Sequence, residues 1–97
     1  MDPIARAAKI KSDLFQAGYS LNAVDREFGL ARQGSSRALR EPYAAAEVAI
    51  AKVLNTEPHK LFTERYAANG ERLTPQPRQN YDRPETMAER RAAGARA

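Results

Sequence analysis

The stretch from Ser20 to Leu39, SLNAVDREFGLARQGSSRAL, constrains the fold more than any other part of the chain. Ser20 suits the N-cap of a short helix, Leu21 to Phe28, in which Leu21, Val24 and Phe28 recur on one side. Gly29 follows, and glycine takes the positive φ that ends a helix at little cost. A second short helix is expected from about Arg32 to Arg40, closed by Glu41-Pro42 because the residue before proline avoids the α region. Two short helices about a tight glycine turn form a helix-turn-helix. Counted from Leu21, the turn glycine is the ninth residue. The fourth, eighth, tenth and eighteenth residues, Val24, Phe28, Leu30 and Ala38, supply the apolar anchors. Two positions depart from that pattern. The fifth, where the helices cross and a small residue is usual, is Asp25, and the fifteenth, usually branched and apolar, is Ser35.

The rest of the chain supplies helices around this unit. A first helix is expected over residues 3–17, capped by Asp2, with Ile4, Ala7, Ala8, Leu14 and Phe15 approximating one apolar face and Gly18 after its end. Residues 43–54, YAAAEVAIAKVL, are apolar nearly all round and predict the central core helix. A short fifth helix is expected over residues 57–62, capped by Thr56, with Leu61, Phe62 and Tyr66 as the last large apolar groups. After about Ala68 the composition changes. Residues 69–83 hold two prolines, a glycine and no apolar period, and read as an exposed linker. Residues 84–93 can form a short helix starting at Pro84. The reading is therefore all-α: a five-helix domain over residues 1–68, then a linker and tail over 69–97.

Composition narrows the function. The chain of 97 residues carries a net charge of +4, which favours an anionic partner. The bias is local: residues 32–40 hold Arg32, Arg37 and Arg40 and no acid. There are no cysteines, so a disulfide framework or a thiolate metal site is out of reach. The one histidine, His59, sits in a charged EPHK turn and reads as an exposed turn residue. No nucleophile with its base, paired carboxylates or phosphate-cradling loop is visible, so the expectation is a non-enzyme with no cofactor and no metal. The longest apolar run, Tyr43 to Ala51, is broken by Glu47 and too short to span a bilayer. The N-terminus lacks the pattern of a signal peptide, so the cytoplasm, in association with the nucleoid, is the expected location.

The run from about Ala8 to Tyr66 resembles the Ner/Nlp family of small DNA-binding regulators, best known from Mu-like phages. The resembling pieces are SLNAVDREFGLA at 20–31, ALR at 38–40, IAKVLNTEP at 50–58 and FTERY at 62–66. The resemblance implies a λ-repressor-like, all-α fold of about five helices and a phage-type transcriptional role, most often repression by occluding a promoter. The family usually carries a proline near the start of the recognition helix, where this chain has Arg32, and an aromatic after it, matched by Tyr43. The tail after Gly70 has no counterpart in it.

A recognition helix reads base edges in the major groove of double-stranded DNA while flanking groups hold phosphates. Helical geometry puts Arg32, Gln33, Ser36, Arg37 and Arg40 on the side away from Leu39. Arg37 is the first candidate for a guanine and Gln33 for an adenine. Arg32 suits base or phosphate, Ser36 either, Arg40 a phosphate, and Asn22 a phosphate at the start of the preceding helix. Tyr43 can touch the DNA backbone or pack at the core edge under the recognition helix. Gly34 can let the backbone approach the DNA, or is tolerated at a cost in helix stability. One short domain often binds tightly as a two-fold homodimer on paired half-sites, yet no zipper pattern is present. The competing reading is a protein-interaction module, or an activator that recruits a partner through the C-terminal tail.

Overall fold

The structure, a computed structural model, describes residues 3–81. Its helices are α1 (Pro3–Gln16), α2 (Leu21–Glu27), α3 (Gly34–Ala38), α4 (Ala44–Val53) and α5 (Pro58–Leu61), followed by 3₁₀ turns at Thr63–Arg65 and Arg78–Tyr81. The described residues contain no strand, and the architecture is an all-α helix-turn-helix fold. Asp2 and residues 84–93 lie outside the described part.

Three helices end by the same hydrogen-bond device. At the end of α1, Gly18 N–H donates to Phe15 O and Tyr19 N–H reaches back to Leu14 O at 2.9 Å. At the end of α2, Leu30 N–H reaches Asp25 O at 2.9 Å, and at the end of α4, Thr56 N–H reaches Ala51 O at 2.9 Å. These are Schellman-type closures, which satisfy carbonyls the helix leaves unpaired and need a left-handed residue at the bend. Gly18 (φ 90°), Gly29 (φ 64°) and Asn55 (φ 55°) supply it. Each closure turns the chain sharply, so that α2, α3, α4 and α5 pack on one another in sequence, with α2 also against α4.

The core is built from Ile10 and Leu14 of α1, Val24 of α2, Ala38 and Leu39, Ala46, Ala49 and Ile50 of α4, and Phe62. Two expectations about it fail. Phe15 is 81% exposed. It follows buried Leu14 by one residue, about 100° round the helix, so the Ile10–Leu14 stripe cannot include it. In α4 burial is one-sided although the sequence is apolar nearly all round: Ala44, Ala45 and Val48 are exposed while Glu47 is fully buried.

The segment read as an exposed linker returns to the domain. Tyr66 and Arg72 form an antiparallel β-bridge, closed by a turn in which Ala67 N–H donates to Glu71 O at 2.7 Å. Leu73 N–H and the Gln76 side-chain amide both donate to Arg65 O, at 3.0 and 2.8 Å. Asn80 donates to Glu64 O at 3.0 Å. Two prolines and a glycine signalled the absence of helix, but the side-chain amides of Gln76 and Asn80 attach the irregular chain to the backbone carbonyls of residues 64 and 65. Smaller differences lie around α5. It is shorter than expected, Glu57 rather than Thr56 is its N-cap, and no side chain completes the cap. His59 is half-buried, 3.4 Å from the Glu57 carboxylate.

Candidate nucleic-acid interface

The α2–turn–α3 unit begins as the sequence predicts, with Ser20 Oγ accepting from Ala23 N–H at 3.0 Å. The second helix differs from its expectation. It runs only from Gly34 to Ala38, so Arg32 and Gln33 precede it and Leu39 and Arg40 follow it. Gln33 holds φ 62°, a left-handed conformation uncommon for a residue with a Cβ, and this delays the helix start. At the far end, Leu39 and Arg40 N–H bond three residues back, to Ser36 O and Arg37 O, which tightens the chain out of the α-helix.

Five residues that include a glycine and two serines make a poor helix alone. Both ends of α3 are held from outside. Asp25 Oδ1 accepts from Ser35 N–H at 2.8 Å, a cap supplied by α2 in place of the Gln33 side chain, which makes none. At the other end Arg65 Nη1 donates to Ala38 O at 2.7 Å. Asp25 and Arg65 are both buried, at 7% and 1% exposure. An anion therefore sits at the N-terminal end of the helix and a cation at the C-terminal end, the signs that the peptide dipoles favour. The two departures from the helix-turn-helix pattern, Asp25 and Ser35, are thus the two halves of one contact. Ser35 Oγ, by contrast, is buried with no hydrogen-bond partner among the described residues.

Arg65 reaches Ala38 from a buried polar cluster centred on Glu47. Glu47 Oε2 accepts from Arg65 Nη1 at 3.2 Å, from Arg72 Nη2 at 3.2 Å and from Tyr43 N–H at 2.6 Å, and Oε1 from Tyr66 OH at 2.9 Å. Burial lowers the Arg65 pKa against the opposing pull of Glu47. Burial, reinforced by the Glu47 hydrogen bond, pushes the Tyr66 hydroxyl up to about 12. Arg65 and Arg6 both lie over the Phe62 ring, at 4.4 and 5.2 Å. Burial raises the Glu64 pKa, but the 2.7 Å bond from Arg6, a backbone hydrogen bond and the charges of Arg6 and Arg65 together outweigh it and leave the carboxyl below its ordinary value.

On the outer surface, Asn22, Gln33 and Ser36 line one open depression of about 460 Å³, together with Lys11 and the exposed Phe15. Asn22 also borders a second one of about 320 Å³ with Arg26 and Arg32. The structure thus gathers Asn22, Arg32, Gln33 and Ser36 around the start of α3. Arg37 lies apart from both depressions, paired with Glu41 (Nε to Oε1, 2.7 Å) and stacked over the Tyr43 ring at 4.9 Å. Arg40 is half-buried in the turn beyond the helix. Tyr43 is half-buried, in the core-edge position under the recognition helix. A Cβ on Gly34 would stand 3.2 Å from the Tyr43 ring and 3.4 Å from Leu30 Cβ. That glycine faces the interior, so it serves helix packing rather than approach to DNA. Lys11 lines the first depression beside Phe15, which the sequence placed on the apolar face of the first helix. For Phe15 the signal was available in its offset from the Ile10–Leu14 stripe.

Among the described residues no helix is long and apolar enough to cross a membrane, and no group of three or more His, Asp or Glu could hold a metal ion. A short recognition helix clamped into an all-α core, with polar and basic side chains outward, defines a helix-turn-helix DNA-binding domain. The sequence model of a family described as winged helix-turn-helix DNA-binding matches residues 6–80, and the chain belongs to that family. The matched span takes in most of α1, all of α2 to α5 and the Tyr66–Arg72 return. No curated protein and no solved structure matches the chain.

Proposed function

We propose that the chain is a sequence-specific transcriptional regulator of double-stranded DNA, phage-type in the manner of the Ner/Nlp regulators, and a repressor that occludes its promoter. The observation that carries the reading is the division of α3. Asp25 and Arg65 fix its ends in the core, while Gln33 and Arg37 face solvent with the half-buried Ser36 between them. In this reading α3 enters the major groove. Arg37 meets a guanine and Gln33 an adenine, with Arg32 and Ser36 beside them on base or phosphate. Asn22 and Arg40 hold phosphates on either side, and Tyr43 supports Arg37 from below. A homodimer on paired half-sites would double the small contact area, and the nucleoid is the corresponding location.

Titration with duplex DNA across a range of salt tests this. Phosphate contacts release counterions, so log K falls linearly with log salt, with a slope of roughly −0.9 per phosphate neutralised. A preferred duplex from a random pool, bound with a slope showing several phosphate contacts, is the expected result. No duplex binding even at low salt would sink the reading. The position of the preferred site relative to a transcription start separates repression from activation.

A further inference from the structure

The Arg37 guanidinium is held from two directions by groups that are themselves fixed. Its Nε donates to Glu41 Oε1 at 2.7 Å, and its Cζ lies 4.9 Å from the centre of the Tyr43 ring. Exposure is unequal: the Arg37 side chain is 56% exposed and that of Glu41 only 10%. The acid is embedded in the protein and the cation leans outward from it, unlike a pair on an open helix surface, where both groups are wet and the bond is weak. Glu41 precedes buried Pro42, whose ring fixes the local backbone. Tyr43 is anchored through its N–H to the buried Glu47 carboxylate at 2.6 Å, and its ring lies against Gly34. An unsupported arginine samples many rotamers, and each must be given up on binding.

We infer that Glu41 is a positioning residue for Arg37, holding the guanidinium by its Nε edge so that the two terminal amino groups present a preset fork to a base. The inference rests on the reading of Arg37 as a base contact. With Nε engaged by Glu41, the donors left are those on Nη1 and Nη2, which match the two acceptors that guanine shows in the major groove, O6 and N7. Burial also keeps the Glu41 charge back from the phosphates, where an exposed carboxylate would repel them.

The test uses the full chain and the duplex that it prefers in a random-pool selection. The wild type, Glu41→Gln, Glu41→Ala and Arg37→Ala are titrated at one salt concentration against that duplex and against its single-base-pair variants. Thermal transitions are recorded in parallel. Arg37→Ala is expected to abolish discrimination at one base pair. Glu41→Gln is expected to lower discrimination at that same base pair by about tenfold, with the other positions, the salt slope and the thermal transition unchanged. Glu41→Ala is expected to do the same or more. Full discrimination retained by Glu41→Gln, while Arg37→Ala loses it, overturns the role of Glu41. Uniform weakening at every base pair together with a lowered transition also overturns it, because that is the signature of a folding role. If Arg37→Ala changes no base pair, the reading of Arg37 itself fails, and the inference about Glu41 falls with it.

Discussion

At the scale of single residues, the most instructive pair is Asp25 and Ser35. Each breaks the helix-turn-helix pattern when read alone, because the pattern expects a small residue and a branched apolar one. Together they make sense: a carboxylate at the crossing point caps the helix whose own N-cap residue, Gln33, contributes no side-chain bond. The cap uses the Ser35 backbone N–H and leaves its hydroxyl buried with no partner among the described residues. Two outcomes follow from that split. Ser35→Ala keeps the cap, removes an unsatisfied hydroxyl and adds helix propensity. It should stabilise the domain by about 1 kcal/mol, a rise of roughly 4–8 °C in Tm for a chain this size. Asp25→Ala should destabilise by about 1–2 kcal/mol through loss of the cap. Thermal unfolding of both variants checks the pair, and a Ser35→Ala protein less stable than the wild type would refute the assignment. Pairing across ten residues of sequence has no local signature, so the departures were legible but their relation was not.

At the scale of elements, α2 and its turn were readable because their signals are local: Ser20 at the cap, Gly29 at the bend, Val24 and Phe28 inward. The start of α3 was placed too early because the left-handed residue there is a glutamine, for which sequence gives no cue, and its end too late because the chain tightens at Leu39 and Arg40. The faces of α4 were misjudged for a different reason. Charged residues are assumed to be outside, and Glu47 could be placed inside only by knowing that Arg65, Arg72 and Tyr66 converge on it from later in the chain. That convergence is what joins α4 to the end of α3 through Arg65. Glu47→Gln leaves Arg65 buried opposite a neutral amide. Breaking one partner of a buried pair typically costs about 3–5 kcal/mol, so chemical denaturation should show a loss of that order. A change below about 1 kcal/mol, the size typical of exposed pairs, would show that the cluster is not desolvated as described.

At the scale of the whole molecule, the Tyr66–Arg72 return closes the domain over Glu47, which makes global stability sensitive to alkali. The folded state raises the Tyr66 hydroxyl from 10.0 to about 12. A group whose pKa is raised on folding stabilises fully below its unfolded value and loses that contribution as pH climbs through the folded one. The wild type should therefore be more stable than Tyr66→Phe up to about pH 10, and the gap should close between about pH 10 and about 12. Thermal midpoints of the two proteins across that window decide it, and a gap that persists at the upper end contradicts the placement of Tyr66. Over residues 69–81, the described part of the segment read as a linker, the composition did not signal that amide side chains at 76 and 80 would tie the chain down. A wider consequence attaches to the clamping of α3. Because Asp25 and Arg65 grip backbone atoms, N–H at one end and C=O at the other, the exposed side chains between them carry little of the fold. A replacement at Arg37 that still offers a donor to Glu41 can be made much as a tool bit is changed in a fixed chuck, whereas Gln33, ahead of the first grip with φ 62°, is limited to residues that tolerate the left-handed region. The domain is thus a scaffold on which target preference can drift, or be reprogrammed, largely independently of stability.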